Sequence, residues 1–144
     1  MEFIKDVQCA LENRKSKIKF IITKKNYTNK QFSMDFLDLK FPLPIINFYT
    51  QIESLKIIEP KYFEIIDLMH FELIDNKYLL FSIVSDEKIC FDISNTNSAG
   101  EWNIICLSNN FLITKTFSSY LTNKIWAWVD RGREIWKEEF YNNI

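Results

Sequence analysis

Glycine occurs only twice and proline three times in 144 residues, and there is a single histidine. Two glycines cannot build a phosphate-cradling loop or a dinucleotide-binding turn, because both need several positions where backbone can approach a phosphate closely. No Gly-x-Ser-x-Gly elbow is present to expose a nucleophilic serine. A Cys–His nucleophile pair would have only His70 as its base, and nothing places His70 beside a particular cysteine. Zinc takes about four ligands at workable spacing, and the scattered Cys9, His70, Cys90 and Cys106 do not offer that. Three cysteines with no close pair argue against a disulfide framework and for a reducing compartment. No stretch approaches the ~20 apolar residues of a membrane span. The opening Met1-Glu-Phe-Ile-Lys-Asp carries acidic residues and no apolar run of signal length, so no secretory leader is expected. These absences predict a soluble, cytoplasmic protein without metal, cofactor or catalytic set.

Aromatic residues are abundant, at 16% with thirteen Phe. A chain of this length is expected to fold as one domain and to bury roughly two-thirds of its unfolded surface. Formal net charge is -1, but its distribution is uneven. Residues 1–60 carry ten Lys and Arg against seven Asp and Glu, and residues 61–100 carry three against seven. An acidic central surface would favour a basic partner, although a solvated face of ordinary sign reads the same way.

The chain is organised around Lys77 to Leu107. In Lys88-Ile-Cys-Phe-Asp-Ile-Ser94, Ile89, Phe91 and Ile93 point one way and Cys90, Asp92 and Ser94 the other, as a strand with one buried face requires. Tyr78-Leu-Leu-Phe-Ser-Ile-Val84 is nearly continuous in apolar residues and fits a central strand packed on both sides. Trp102-Asn-Ile-Ile-Cys-Leu107 alternates again, after a loop over Asn95–Gly100.

Before this hairpin, residues 1–13 predict a helix with Phe3, Ile4, Val7 and Leu11 in one stripe. Arg14 to Lys30 holds seven basic residues and no acidic one, with Ile18-Lys-Phe-Ile-Ile-Thr23 favouring a strand. Such a run could follow a nucleic-acid backbone; its commoner meaning is an edge strand guarded by lysine. Pro44 should open a helix over Ile45–Ile52, and Leu55–Ile58 should be the first strand of the sheet. Over Lys61–Asp75 the expectation is a turn or helical piece to Leu68. A strand from Met69 to Ile74 should follow, with Met69, Phe71 and Leu73 inward.

After the hairpin, Thr116 or Ser118 can cap a helix whose stripe is Phe117, Tyr120, Leu121, Ile125, Trp128 and Val129. Asp130-Arg-Gly132 should break it, and Arg133–Tyr141 reads as a last helical segment. Trp126 and Trp136 are read as near the surface, either as partner anchors or as core-edge packing. Asp86, Glu87, Asp92 and Glu101 gather around strand ends; paired carboxylates can do acid–base work, but at sheet edges they are ordinarily solvated.

The order of these pieces resembles the SUKH superfamily, the Smi- and Knr-like proteins, and its bacterial immunity branch in particular. The resemblance is carried by Leu43-Pro44 opening a helix with Phe48-Tyr49, then Tyr78-Leu-Leu-Phe81 and Ile89-Cys-Phe-Asp92. Glu101-Trp102 with Ile104-Ile105 follow, and then Thr116-Phe-Ser-Ser-Tyr-Leu121. It covers residues 42–128, leaving residues 1–41 as an N-terminal extension with the basic run and 129–144 as a C-terminal helical segment. Glu53-Ser54 stands where the family often has Asn-Gly.

The resemblance implies an α+β fold, a mainly antiparallel sheet of about five or six strands with N-terminal and C-terminal helices packed against it. It also implies a non-enzymatic immunity protein that binds and neutralises a cognate bacterial toxin, for instance a basic nuclease domain. The alternative it offers is a scaffold binding an endogenous protein. The expected contacts are Asp86, Glu87, Glu101 and Trp102, with Asp92 kept for a structural bond. Neither nucleic acid nor membrane is expected as partner, and the chain itself should be a monomer or weak homodimer.

Overall fold

The computed structural model describes residues 2–24 and 39–138. Lys25, Tyr27, Lys30 and Phe32 of the basic run, Met34 to Asp38, and Phe140 with Tyr141 of the last expected helix lie outside the described residues.

The fold is α+β: an open, antiparallel sheet of eight strands among the described residues, with three helices. Helix α1 is Glu2–Asn13, and strand β1 is Lys19–Lys24. Helix α2, Leu43–Tyr49, has Pro44 in its first turn, where a missing N–H costs nothing. Strands β2 (Ile52–Glu59), β3 (Phe63–Ile65), β4 (Glu72–Ile74) and β5 (Tyr78–Val84) follow. They lead to β6 (Glu87–Asp92), β7 (Asn103–Cys106) and β8 (Leu112–Thr114). The strand order is β1-β2-β3-β5-β6-β7-β8, and β4 also pairs with β5. Helix α3 spans residues 117–129: α-helical at Phe117–Ser119, π-helical at Tyr120–Lys124 and α-helical again at Ile125–Val129.

Eight strands exceed the five or six expected. Strands β3, β4 and β8 are three residues each, too short to print a period on the sequence. β3 and β4 are two pieces of one strand lying along the same side of β5. β3 pairs Phe63 with Val84, and β4 pairs Ile74 with Tyr78. The excursion between them holds a 3₁₀ turn, Leu68–His70, with the Asp67 carboxylate accepting from the Met69 N–H. This corrects the expected strand from Met69: that side chain is exposed, while Phe71 is buried. The expected helix to Ile52 ends at Tyr49, and Ile52 begins β2, which is the second strand in the sheet order. Residues 133–138, the described part of the expected last helix, form turns. Helix α3 stops as Asp130-Arg-Gly132 suggested. Gly132, at φ 68°, donates its N–H to Trp128 O, and Arg133 donates to Ala127 O. The Gly132 bond is that of a helix ended by a left-handed glycine.

All three helices bury their apolar stripes in one core on one face of the sheet. Phe117, first residue of α3, is its centre. The ring lies 6.2 Å from Phe3 on α1, 5.3 Å from Phe48 on α2, 5.9 Å from Phe81 on β5 and 5.8 Å from Phe91 on β6. Phe81 and Phe91 stack at 3.8 Å. β5 carries one extra residue between Leu80 and Ser82, so Phe81 and Ser82 both face the helices. The Ser82 hydroxyl donates to Glu64 O at 2.6 Å, which leaves it to accept from the Tyr120 hydroxyl at 2.7 Å. That bond ties the π-helical turn to the bulge. At the far end of α3, Arg14 stacks over the Trp126 ring at 3.8 Å and grips Asp130 through two nitrogens. Trp126 is therefore core, not surface, and Trp136 packs edge-on against Trp128 at 5.0 Å.

Truncating a buried Phe costs about 3–5 kcal/mol. Phe117→Ala should sit at the top of that range, since four elements lose a neighbour at once. Urea denaturation checks it; a loss below about 1 kcal/mol would deny Phe117 this central position.

Candidate functional site

The second face of the sheet holds a separate apolar cluster, Leu80, Cys90 and Ile105, with Ile66, Ile74, Tyr78, Ile83 and Leu107 partly buried around it. None of the buried helical residues belongs to this cluster; all of them lie in the core on the opposite face. Register explains why the patch is continuous. Leu80 is paired with Cys90, Cys90 with Ile105 and Ile105 with Leu112, so one apolar row crosses four strands and ends at Leu112, which is 41% exposed. At the other end of the row Glu72 pairs with Leu80. One flanking row runs Lys56, Glu64, Ile83, Lys88, and the other runs Ile74, Tyr78, Asp92, Asn103. Asp75 and Asp86 stand in the turns at the two ends of β5, both exposed. The face is thus an apolar strip with mixed charge about it, carboxylates outnumbering lysines.

Nothing on this face resembles a reacting centre. Burial pushes the Cys90 thiol up to about 12, and Cys106, beneath the other face, is shifted upward by the same cause. Neither thiol is therefore poised as a thiolate. Among the described residues no group of three or more His, Cys, Asp or Glu could hold a metal ion, and no helix is long and apolar enough to cross a membrane.

The four residues expected to contact a partner are not brought together. Asp86 and Glu87 lie at one end of β6, and Glu101 and Trp102 lie beyond its other end. A strand of that length separates them by about 17 Å. Asp86 is exposed in the turn after Ser85, which takes a positive φ of 57°. Glu87 is half-buried and accepts from the Ser108 hydroxyl at 2.9 Å, tying β6 to the turn after β7. Glu101 is 9% exposed, and its Oε1 accepts from the Phe117 N–H at 2.9 Å. It thereby satisfies one of the open donors at the start of α3. Trp102 is 7% exposed and packs on Phe41 at 5.6 Å and Phe91 at 5.8 Å. Glu101 and Trp102 therefore serve the interior. Asp92 does what was expected, accepting from the Ser94 N–H and hydroxyl.

Sequence reasoning missed the strip itself. The signal lies in the nearly continuous apolar run Tyr78–Val84 and in Ile105 and Cys90 standing out of phase with their core-facing neighbours. The run fits packing on both faces of β5, whereas the described helices cover one.

Comparison with protein-family models, with curated proteins and with solved structures finds no match to this chain.

Burial holds the Glu101 carboxyl above its ordinary range, and the Phe117 N–H only partly offsets that. A folded-state value above the unfolded one means the folded protein keeps this proton to higher pH. The stability linked to it is present below about 4.3, the unfolded value, and is lost as pH rises through the folded value. Glu101→Gln keeps an acceptor for Phe117 without the charge. Its stability relative to the parent should therefore improve as pH climbs from about 4 towards neutrality. Glu101→Ala, which also loses the acceptor, should lie about 1 kcal/mol below Glu101→Gln at any pH. Thermal melts at several pH values test both; a Gln-minus-parent difference that is flat with pH would refute the assignment.

Proposed function

We propose that this chain is a non-catalytic protein-binding domain of the immunity kind, and that it neutralises a toxin domain by covering part of its surface. The observation that carries this reading is the apolar row Leu80, Cys90, Ile105 and Leu112, on the face that the core helices leave alone. A strip of this kind rimmed by polar groups suits a protein interface, with an apolar centre and a charged periphery. Glu64, Glu72 and Asp92 on the face and Asp75 and Asp86 at its ends favour a partner with basic surface, as many nucleic-acid-cleaving domains have. Complementary charge of this sort speeds encounter and sets orientation more than it adds affinity. The resemblance to SUKH immunity proteins supports the same reading. Asp86 remains a candidate contact, while Glu101 and Trp102 act by holding the scaffold.

Co-expression with a toxin-like product encoded next to this chain tests the proposal. The chain should protect cells and form a stoichiometric complex. Leu112→Lys and Glu72→Lys, both at exposed positions, should weaken that complex about tenfold or more, equivalent to about 1.4 kcal/mol, with thermal unfolding little changed. A toxin that kills equally well with and without the chain overturns the toxin reading. A stoichiometric complex with a protein of the same cell, lost in the same variants, would instead favour a scaffold.

A further inference from the structure

The basic run takes no part in the apolar row, and the fold gives its described half a definite place. Lys15, Lys17, Lys19 and Lys24 surround β1, which ends the sheet among the described residues and pairs only with β2. Beneath β1, between it and α1, lies an open groove of about 360 Å³ lined by Leu11, Phe20 and Ile22, with Gln8, Glu12 and Lys24 at its margins. Along β1 the residues alternate between two sides: Phe20 and Ile22 are half-buried towards the groove, while Lys19, Ile21 and Thr23 are exposed on the other face.

We propose that β1 is a docking edge for an extended segment of a partner protein, acidic at its ends and apolar at alternate positions between, which adds to the sheet as a further strand. A sheet edge presents donors and acceptors in alternation, and another peptide backbone satisfies both. A phosphate backbone brings acceptors alone, so the edge fits a peptide better than a nucleic acid. Alternation then dictates the rest. Side chains opposite Phe20 and Ile22 enter the groove and must be apolar. Those opposite Lys19 and Lys24 meet a cation and are best carboxylates, as cross-strand pairs of opposite charge are favourable and like charges are not. The same lysines discourage pairing with a second copy of this edge, where lysine would face lysine. Charge therefore selects the occupant: not this chain's own β1, but an acidic strand.

The probe is a fluorescein-labelled hexapeptide, Glu-Thr-Val-Thr-Val-Glu, titrated into the full chain. Saturable binding is expected, weakening as salt rises, with slowed amide exchange at Phe20 to Thr23. Lys19→Glu with Lys24→Glu should reduce affinity at least tenfold, while Glu72→Lys on the opposite part of the sheet should leave it unchanged. Because the lysine positions are exposed, a matched circular-dichroism melt separates lost binding from lost fold. Equal binding of the peptide with lysine in place of glutamate would overturn the proposal, as would no saturable binding. So would tighter, β1-dependent binding of a twelve-nucleotide single strand, which would assign the run to nucleic acid. None of these outcomes depends on the toxin-binding face.

Discussion

The meeting of Phe117 with Glu101 sets up the rest of the molecule. The carboxylate of Glu101 holds the first backbone N–H of α3 at 2.9 Å, and the ring of the same residue touches α1, α2, β5 and β6. One residue thus fixes where the last helix starts, which way it points, and what the earlier helices pack upon. A buried carboxylate is costly unless it is bonded; here its partner is itself a helix donor that would otherwise be open. The bond gives the helix end its acceptor and offsets part of the carboxylate's burial cost, the remainder showing as the raised affinity of Glu101 for its proton. From that anchor α3 runs along the sheet, meets the β5 bulge through Tyr120 and Ser82, and ends where Arg14 closes α1 against Trp126 and Asp130.

This arrangement leaves the sheet with two unlike faces. The inner face is filled by rings, whose edge-to-face contacts add directionality to simple burial. The outer face has one apolar row and no helical partner among the buried residues. The bulge in β5 is where the difference originates. By turning Phe81 and Ser82 to the same side, it gives the helices both a stacked ring and a hydrogen bond. The outward phase restarts with Ile83, on the same face as Leu80.

How much of this could be read from residues alone follows the physics of each signal. The helix at residues 2–13 was legible because four apolar residues at three- and four-residue spacing leave no other face to bury. The phase of β6 was legible because Ile89 and Phe91 alternate with Cys90 and Asp92, and the core takes the first pair. The split strand β3–β4 was not, since three residues cannot show a period and Met69, Phe71 and Leu73 alternate as a strand would although Met69 stands exposed on the 3₁₀ turn. The places of Glu101 and Trp102 were hidden for a different reason. Glu101 and Trp102 looked like surface chemistry because charge and indole are usual at interfaces. Only the tertiary fold shows that the carboxylate ends a helix and the indole closes the core beside Phe41 and Phe91.

The outer face and the β1 edge differ in kind, and the difference follows from what each leaves unsatisfied. On the outer face the row from Leu80 through Cys90 to Ile105 lies on strands paired on both sides, so there only side chains remain to be covered, and a partner would be selected by shape and charge. At β1 one backbone edge is unpaired among the described residues, so a partner would be selected first by its ability to lie extended, and only then by the sign of its side chains. Lysine suits the second surface better than the first. A long, strongly hydrated cation keeps an edge from unwanted pairing, yet it yields to a carboxylate that arrives in register. A flat apolar row has no such gate, which is why its guards sit at the ends and flanks as Glu72, Glu64, Asp92 and Lys88.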